Sequence, residues 1–268
     1  MSYAPERYWT DLHREQREKL SAVGWPALGE GFNRETYKLR LDAARDVLSS
    51  ARPGSLLEAA VGVGAYAPLW ADLGVGRWTG LDISPEAVAD LERRFPQSTF
   101  LTADLADAGF ASKLEEGGFD LVTAIDVLFH LTDDAQFAAA LRNLAGQVRA
   151  GGLLVVTGVF LGSANQTAGH VRHRPLAAHG EAIGPAFELV TRRPVFAILD
   201  EAVPVTAKGR ALNVAWKLLS GILRVAPASV RDRLGALMVR ALRPLDAALR
   251  PLAAGANLEL AVYRRRPE

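Results

Sequence analysis

Gly62 and Gly64, the acids Glu58, Asp82, Asp104 and Asp126, and the histidines His130, His170 and His173 are the residues whose types and spacing point to chemistry. In Leu56-Leu57-Glu58-Ala59-Ala60-Val61-Gly62-Val63-Gly64-Ala65-Tyr66, a β-prone run enters a glycine-rich turn and then a helix. Glycines at 62 and 64 remove side chains where a ligand must approach the backbone. The helix behind them presents unpaired N–H groups and the positive end of its dipole. Taken alone, the loop also reads as a tight turn that binds nothing. Asp82 closes the next strand in Gly80-Leu81-Asp82-Ile83-Ser84, about 20 residues further on, the interval at which an acid meets ribose hydroxyls in dinucleotide-type folds. Asp104, in Leu101-Thr102-Ala103-Asp104-Leu105, and Asp126, in Ala124-Ile125-Asp126-Val127, end the third and fourth strands at the same edge. One strand-end acid is commonly a helix N-cap, whereas recurrence at successive strand ends favours a ligand crevice.

Histidine is the natural proton acceptor near neutral pH. His130 follows the fourth strand directly and either takes a proton from a bound substrate or braces the loop. His170 and His173 lie in Ala168-Gly169-His170-Val171-Arg172-His173-Arg174-Pro175, after the fifth strand and a Gly-Ser-Ala-Asn loop. Their His-x-x-His spacing invites a metal reading, but no acid or cysteine in the run completes a ligand set, so a substrate loop without metal is expected. Arg172 and Arg174 read either as partners of an acidic substrate group or as solvated surface cations. Tyr8, Trp9, Trp25 and Tyr37 are placed to close over a ligand or simply to pack, and Tyr37 and Arg40 are further candidate contacts.

These residues need a frame. From Ser55 onward, β-prone runs alternate with helical patterns, the signature of βαβ units and a mainly parallel sheet. Strands are predicted at Ser55 to Ala60, Trp78 to Asp82, Thr99 to Thr102, Phe119 to Ile125 and Leu153 to Val159, with Gly151-Gly152 as the turn into the fifth. Phe187 to Val190 with Val195 to Leu199 reads as a sixth strand region, and Leu258 to Tyr263 as the last strand. Before the sheet, helical segments are expected over Pro5 to Ala22 and Asn33 to Ser50, the second capped by Asn33, with Leu39, Ala43, Val47 and Leu48 on one face. Lys208 to Leu252 is helical in pattern, and prolines at 227, 244 and 251 are expected to divide it into two or three short amphipathic helices.

Composition removes several alternatives. The 268 residues are 49% apolar, enough to fill a core, yet no run approaches the ~20 apolar residues of a membrane-spanning helix. A soluble protein without stable membrane insertion is expected, and the absence of an apolar run in the first 20 residues favours the cytoplasm over secretion. The lack of cysteine excludes disulfides, thiolate zinc sites and cysteine nucleophiles. A net charge of +1 argues against a dedicated nucleic-acid binder. Charge is uneven, however: residues 201–268 hold 12 Arg and Lys against 5 Asp and Glu, a segment charge of +7, which leaves −6 for the rest. The segment reads as a solvated insertion packed on the sheet, with a lid, a homodimer contact or attraction to an acidic surface as the competing readings.

Over roughly Leu56 to Val159, with a closing strand from Leu258, the chain resembles the class I S-adenosylmethionine-dependent methyltransferases. Glu58 to Gly64 resembles the family's acid-x-Gly-x-Gly-x-Gly loop, with Ala60 in the place of the first glycine; a negative φ at Ala60 is the condition for this replacement to be harmless. The resemblance implies a Rossmann-like α/β fold, a seven-stranded mainly parallel sheet with N-terminal helices (1–54), a cofactor-binding core (55–200), and a helical insertion before the last strand (201–268). It implies S-adenosylmethionine as cofactor, with Glu58, Ala60, Gly62 and Gly64 at the methionine portion, Asp82 at the ribose, and Ile83, Asp104 and Leu105 at the adenine. Asp126 to His130 resembles the fourth-strand motif where cofactor and substrate meet. The implied activity is methyl transfer to a small-molecule oxygen, nitrogen or carbon acceptor. No Asn/Asp-Pro-Pro-Tyr type motif occurs at Asp126 to Phe129, which argues against the nucleobase- and amide-methylating groups of the family. Two alternatives stand. A nicotinamide-dependent oxidoreductase would use the same loop and ribose acid, but the Gly-x-Gly-x-x-Gly spacing is missing, with Pro68 after Gly64 at the relevant distance. A non-catalytic binding module would use Lys208 to Arg250 as its surface.

Overall fold

The computed structural model describes residues 4–16, 19–114 and 116–267. The strands are β1 (Ser55–Ala59), β2 (Arg77–Asp82), β3 (Thr99–Thr102), β4 (Phe119–Ala124), β5 (Val148–Gly158), β6 (Asn165–Ala168), β7 (Val171–His173), β8 (Phe187–Pro194) and β9 (Glu259–Arg265). Seven of them form one Rossmann-like sheet in the order β3-β2-β1-β4-β5-β9-β8, and β6 with β7 forms a separate hairpin. The first five are parallel, and β9 runs antiparallel between β5 and β8. Strand alternation sorts the core into two layers. Leu56, Leu121, Val155 and Val262 bury on one face, while Leu57, Val122, Val156 and Tyr263 bury on the other.

The helices are α1 (Pro5–Gln16), α2 (Leu20–Val23), α3 (Gly29–Val47), α4 (Ala67–Asp72), α5 (Pro85–Arg94), α6 (Asp134–Gly146), α7 (Leu176–Ile183), α8 (Ala207–Val225) and α9 (Ala228–Ala253). The helix expected over Pro5 to Ala22 is two helices, and Arg17 and Glu18 between them lie outside the described residues. Asn33 does not cap α3 but sits one turn inside it. Its side chain accepts from the Trp25 amide at 2.7 Å and donates to the Trp25 and Gly29 carbonyls, clamping the preceding turn onto the helix.

Three other expectations are corrected. Gly151-Gly152 lies inside β5, which begins at Val148 and carries an irregularity against β4 there. Val195 to Leu199 is not a strand. Its amides at 197, 198 and 199 all donate to one oxygen of the fully buried Asp246 at 2.9, 2.9 and 3.1 Å. Finally, Pro227 alone divides the insertion, because α9 runs unbroken through Pro244 and Pro251. The hydrogen bonds lost at those prolines are offset by packing: Gly31 and Gly235 let α3 and α9 touch backbone to backbone.

Candidate active site

The carboxyl ends of β1 to β4 open into one crevice, where an open parallel sheet places its ligands. The β1 loop that enters it has three residues with positive φ: Ala60 at 55°, Gly62 at 52° and Gly64 at 71°. The negative φ expected of Ala60 is therefore not adopted. An alanine holds a left-handed conformation at a cost of roughly 1 kcal/mol, and the loop keeps its shape because it is pinned from outside. Gly62 N–H donates to Asp82 Oδ2 at 2.8 Å and Val61 N–H donates to the Leu81 carbonyl at 3.1 Å. A side chain at Gly64 would strike Leu91 of α5 at 2.8 Å, so this glycine serves helix packing rather than the crevice lining.

Glu58, Ala60, Gly62, Asp82, Ile83, Asp104, Leu105, Asp126 and Tyr37 all line this crevice. Glu58 is buried and accepts from Trp70 Nε1 at 2.7 Å; burial pushes its carboxyl up to about 8, against the pull of that bond. The other oxygen of Asp82 accepts from the Ser84 amide at 2.9 Å, and burial raises its carboxyl despite the opposing charge of His13. Asp104 is exposed and accepts from the Ala106 amide. Tyr37 donates its hydroxyl to the Val23 carbonyl, which fixes α2 beside the crevice.

Pro5, Trp9 and His13 of α1 close the crevice from above. Sequence reasoning missed His13 and Pro5, although the spacing 5, 9, 13 is one face of a helix and marked them as a set. Arg14 of α1 pairs with Glu86 of α5, which holds the helix in place. Burial depresses the His13 imidazole, with Asp82 as the leading opposing charge.

Beside this crevice lies a second cavity of about 550 Å³, lined by Arg40, Asp126, His130, His170 and His173 among others. Arg40 belongs here and not to the first crevice. Its guanidinium donates to Asp126 at 2.8 Å and to Asp200 at 3.3 Å, and lies over the rings of Tyr37 and Phe196. Burial opposes the Arg40 charge, but the two carboxylates outweigh it and hold the guanidinium firmly protonated. Asp126 itself has a φ of 57°; its amide donates to Thr157 Oγ1 at 2.6 Å, which secures the strained turn. Asp200 also accepts from Trp25 Nε1 at 2.9 Å. Its participation carried no sequence signal, since it depends on the Asp246 clamp.

His130 Nδ1 lies 2.9 Å from the His170 carbonyl, and its ring stacks on His170 at 5.5 Å and meets the Trp9 ring edge-on at 4.9 Å. Burial holds the His130 and His173 imidazoles down to about 4. A carbonyl partner makes Nδ1 the protonated nitrogen of His130 and leaves Nε2 with the basic lone pair. Arg172 and Arg174 are engaged within the fold, and Arg174 is buried rather than a solvated surface cation. Both donate to Asp134 at 2.8 Å, and Arg174 also covers the Phe137 ring. Among the described residues, no helix is long and apolar enough to cross a membrane.

Residues 57–156 match the family model described as a methyltransferase domain. Nodulation protein S of Sinorhizobium fredii (strain NBRC 101917 / NGR234) is 27% identical over 147 residues, 54% of this chain and 64% of that protein. The match therefore spans a little under two thirds of the relative's length. Among solved structures, the N-methyltransferase NodS of Bradyrhizobium japonicum WM9 in complex with S-adenosyl-L-homocysteine superposes with a TM-score of 0.55 at 17% identity, over 97% of this chain and 99% of that one. The magnesium protoporphyrin IX methyltransferase ChlM of Synechocystis PCC 6803, with bound S-adenosylmethionine, gives a TM-score of 0.52 at 19% identity, over 71% and 88% of the two chains. Both share the fold described above.

Proposed function

We propose that this chain is a class I S-adenosylmethionine-dependent methyltransferase, which transfers a methyl group from that cofactor to a small-molecule acceptor in the cytoplasm. The observation that carries this reading is the junction of the two cavities: Asp126 and His130 line both. A donor in the first and an acceptor in the second would meet there.

The first crevice fits the cofactor's chemistry. Glu58 lies buried where a cationic amino group would relieve its burial, Asp82 offers a carboxylate to a ribose diol, and Ile83, Asp104 and Leu105 frame the adenine end. Gly62 leaves the floor open, since a side chain there would approach Val23 at 3.2 Å in a strained conformation. When bound, S-adenosylmethionine supplies a methyl group already activated on sulfonium, so little chemical assistance is required of the protein.

The protein's own contribution is position and dryness. Arg40, held between Asp126 and Asp200, forms a rigid polar floor to the acceptor cavity, and α1 shields the junction from water. His130, neutral at physiological pH, takes the proton at Nε2 from an acceptor that must lose one. His170 holds the opposite side of that ring through its carbonyl, and His173 contributes to the cavity wall.

Calorimetric titration of the protein with S-adenosylmethionine, S-adenosylhomocysteine and NAD(H) in parallel tests the reading. Binding of the first two alone is the expected result. Binding of none, or of NAD(H), refutes it.

A further inference from the structure

The insertion that interrupts the sheet before β9 leaves an apolar face without a partner. Nine of the twelve large apolar side chains exposed among the described residues fall between 205 and 252. On α8 they form a stripe, Val214, Leu218, Ile222 and Val225, each at least half exposed and Val225 at 85%. These positions recur every three or four residues and so share one side of the helix. The opposite side is firmly anchored: Leu212, Trp216 and Leu223 are buried, with Trp216 against Trp25 and Phe32. The stripe is therefore not a core face left open by a misplaced helix.

Charge says what covers it. Arg210, Lys217 and Arg224 are spaced seven apart along α8, which puts them in a row at one edge of the stripe. None of the three forms an ion pair among the described residues, and α8 contains no acidic residue. On α9, Val230, Leu237, Leu245 and Leu252 are likewise exposed, with Arg233 beside them. An apolar arc edged only by cations is the pattern of a helix lying in the headgroup region of a bilayer. A second copy of the chain would bring the same cations against this face, with no acid on α8 to meet them. Val205 and Lys217, both exposed, also line the 550 Å³ cavity, which therefore extends to the same part of the surface.

We propose that α8, with the exposed side of α9, docks this protein on a lipid surface bearing anionic headgroups. The docking rests on the exposed stripe and its charge, independently of the methyltransferase reading, and its test reads membrane partition alone.

The intact chain is mixed with vesicles of phosphatidylcholine, with and without phosphatidylglycerol, and the sedimenting fraction is measured over a range of salt. Partition only into the anionic vesicles, weakening as salt rises, is expected. Arg210→Gln combined with Arg224→Gln is expected to lower the partition coefficient about thirtyfold, from roughly a unit of surface attraction lost with each cation. Leu218→Glu is expected to abolish partition. All these positions are exposed, so the variants should keep the parent Tm. Absence of partition by the parent chain, or partition untouched by both variants, overturns the proposal. Sedimentation equilibrium showing a dimer that Leu218→Glu dissociates also overturns it, by assigning the face to a second copy.

Discussion

Glu58 is a buried carboxyl that the fold holds in its neutral form until a cation reaches it. Its carboxyl stands at about 8 against an ordinary 4.5, so the fold prefers it protonated. The unfolded chain ionises first as pH rises, so stability is fullest below the ordinary value and declines until pH passes about 8. Glu58→Gln is therefore expected to gain on the parent by roughly 3–5 kcal/mol between pH 5 and 8, read from denaturant midpoints. The same group links binding to protons: if the methionine ammonium sits beside it, binding at neutral pH releases a proton. Titration in buffers of different ionisation enthalpy should show that release in the parent and not in Glu58→Gln. Ala60 carries a simpler cost. Its positive φ makes Ala60→Gly stabilising by about 1 kcal/mol, visible as a raised Tm. His130, held down to about 4, is expected to contribute no inflection to kcat/KM between about pH 6 and 8, with a fall only as pH approaches 4 and the imidazole protonates. His130→Asn should depress the plateau at every pH, and an unchanged plateau would remove His130 from proton transfer.

At the scale of elements, what could be read from the sequence was what depends on near neighbours. Leu56 and Leu57 bury on opposite faces of the sheet because a strand alternates, and Asp82 ends β2 while Asp104 follows β3 because each β-prone run stops there. The φ of Ala60 was not readable, since it follows from a bond between Gly62 and a carboxylate 20 residues away. Nor was the run 195–199, whose amides are claimed by Asp246 from the following insertion. Pro244 was misread for a related reason: α9 is held by α3, and local propensity yields to that contact. The contact is open to test through its glycines. A methyl group at Gly31 would lie 1.9 Å from the Asp232 carbonyl oxygen, and one at Gly235 would lie 2.9 Å from Phe32 Cβ. Gly31→Ala is expected to cost about 3 kcal/mol and Gly235→Ala about 1–2 kcal/mol. Gly221→Ala on α8, where nothing lies within 4 Å, is expected to stabilise by up to about 1 kcal/mol. Urea midpoints that fail to follow this order would show that α3 and α9 do not depend on close approach.

Across the whole molecule, α1 joins parts that the sheet keeps apart. One of its faces covers the first crevice through Pro5, Trp9 and His13, while Arg14 reaches Glu86 on α5. Its aromatic residues also reach toward the second cavity: Trp9 meets the His130 ring at 4.9 Å, and Tyr8 stacks on His170 at 5.6 Å, in the turn of the β6–β7 hairpin. A ligand that settles α1 over the crevice therefore also settles the wall of the second cavity, and ordering shared by two sites is a coupling between them. The geometry fixes the direction of the effect. With saturating S-adenosylhomocysteine, hydrogen exchange is expected to slow in residues 4–16 and in residues 165–173 together, although the hairpin contributes nothing to the lining of the first crevice. Trp9→Ala removes the ring that touches His130 and leaves the glycine loop intact. In that variant the protection of residues 60–64 should persist while the hairpin exchanges as it does without ligand. Equal protection of the hairpin in parent and variant would mean that the two cavities communicate through Asp126 and the sheet, and that α1 is only a cover.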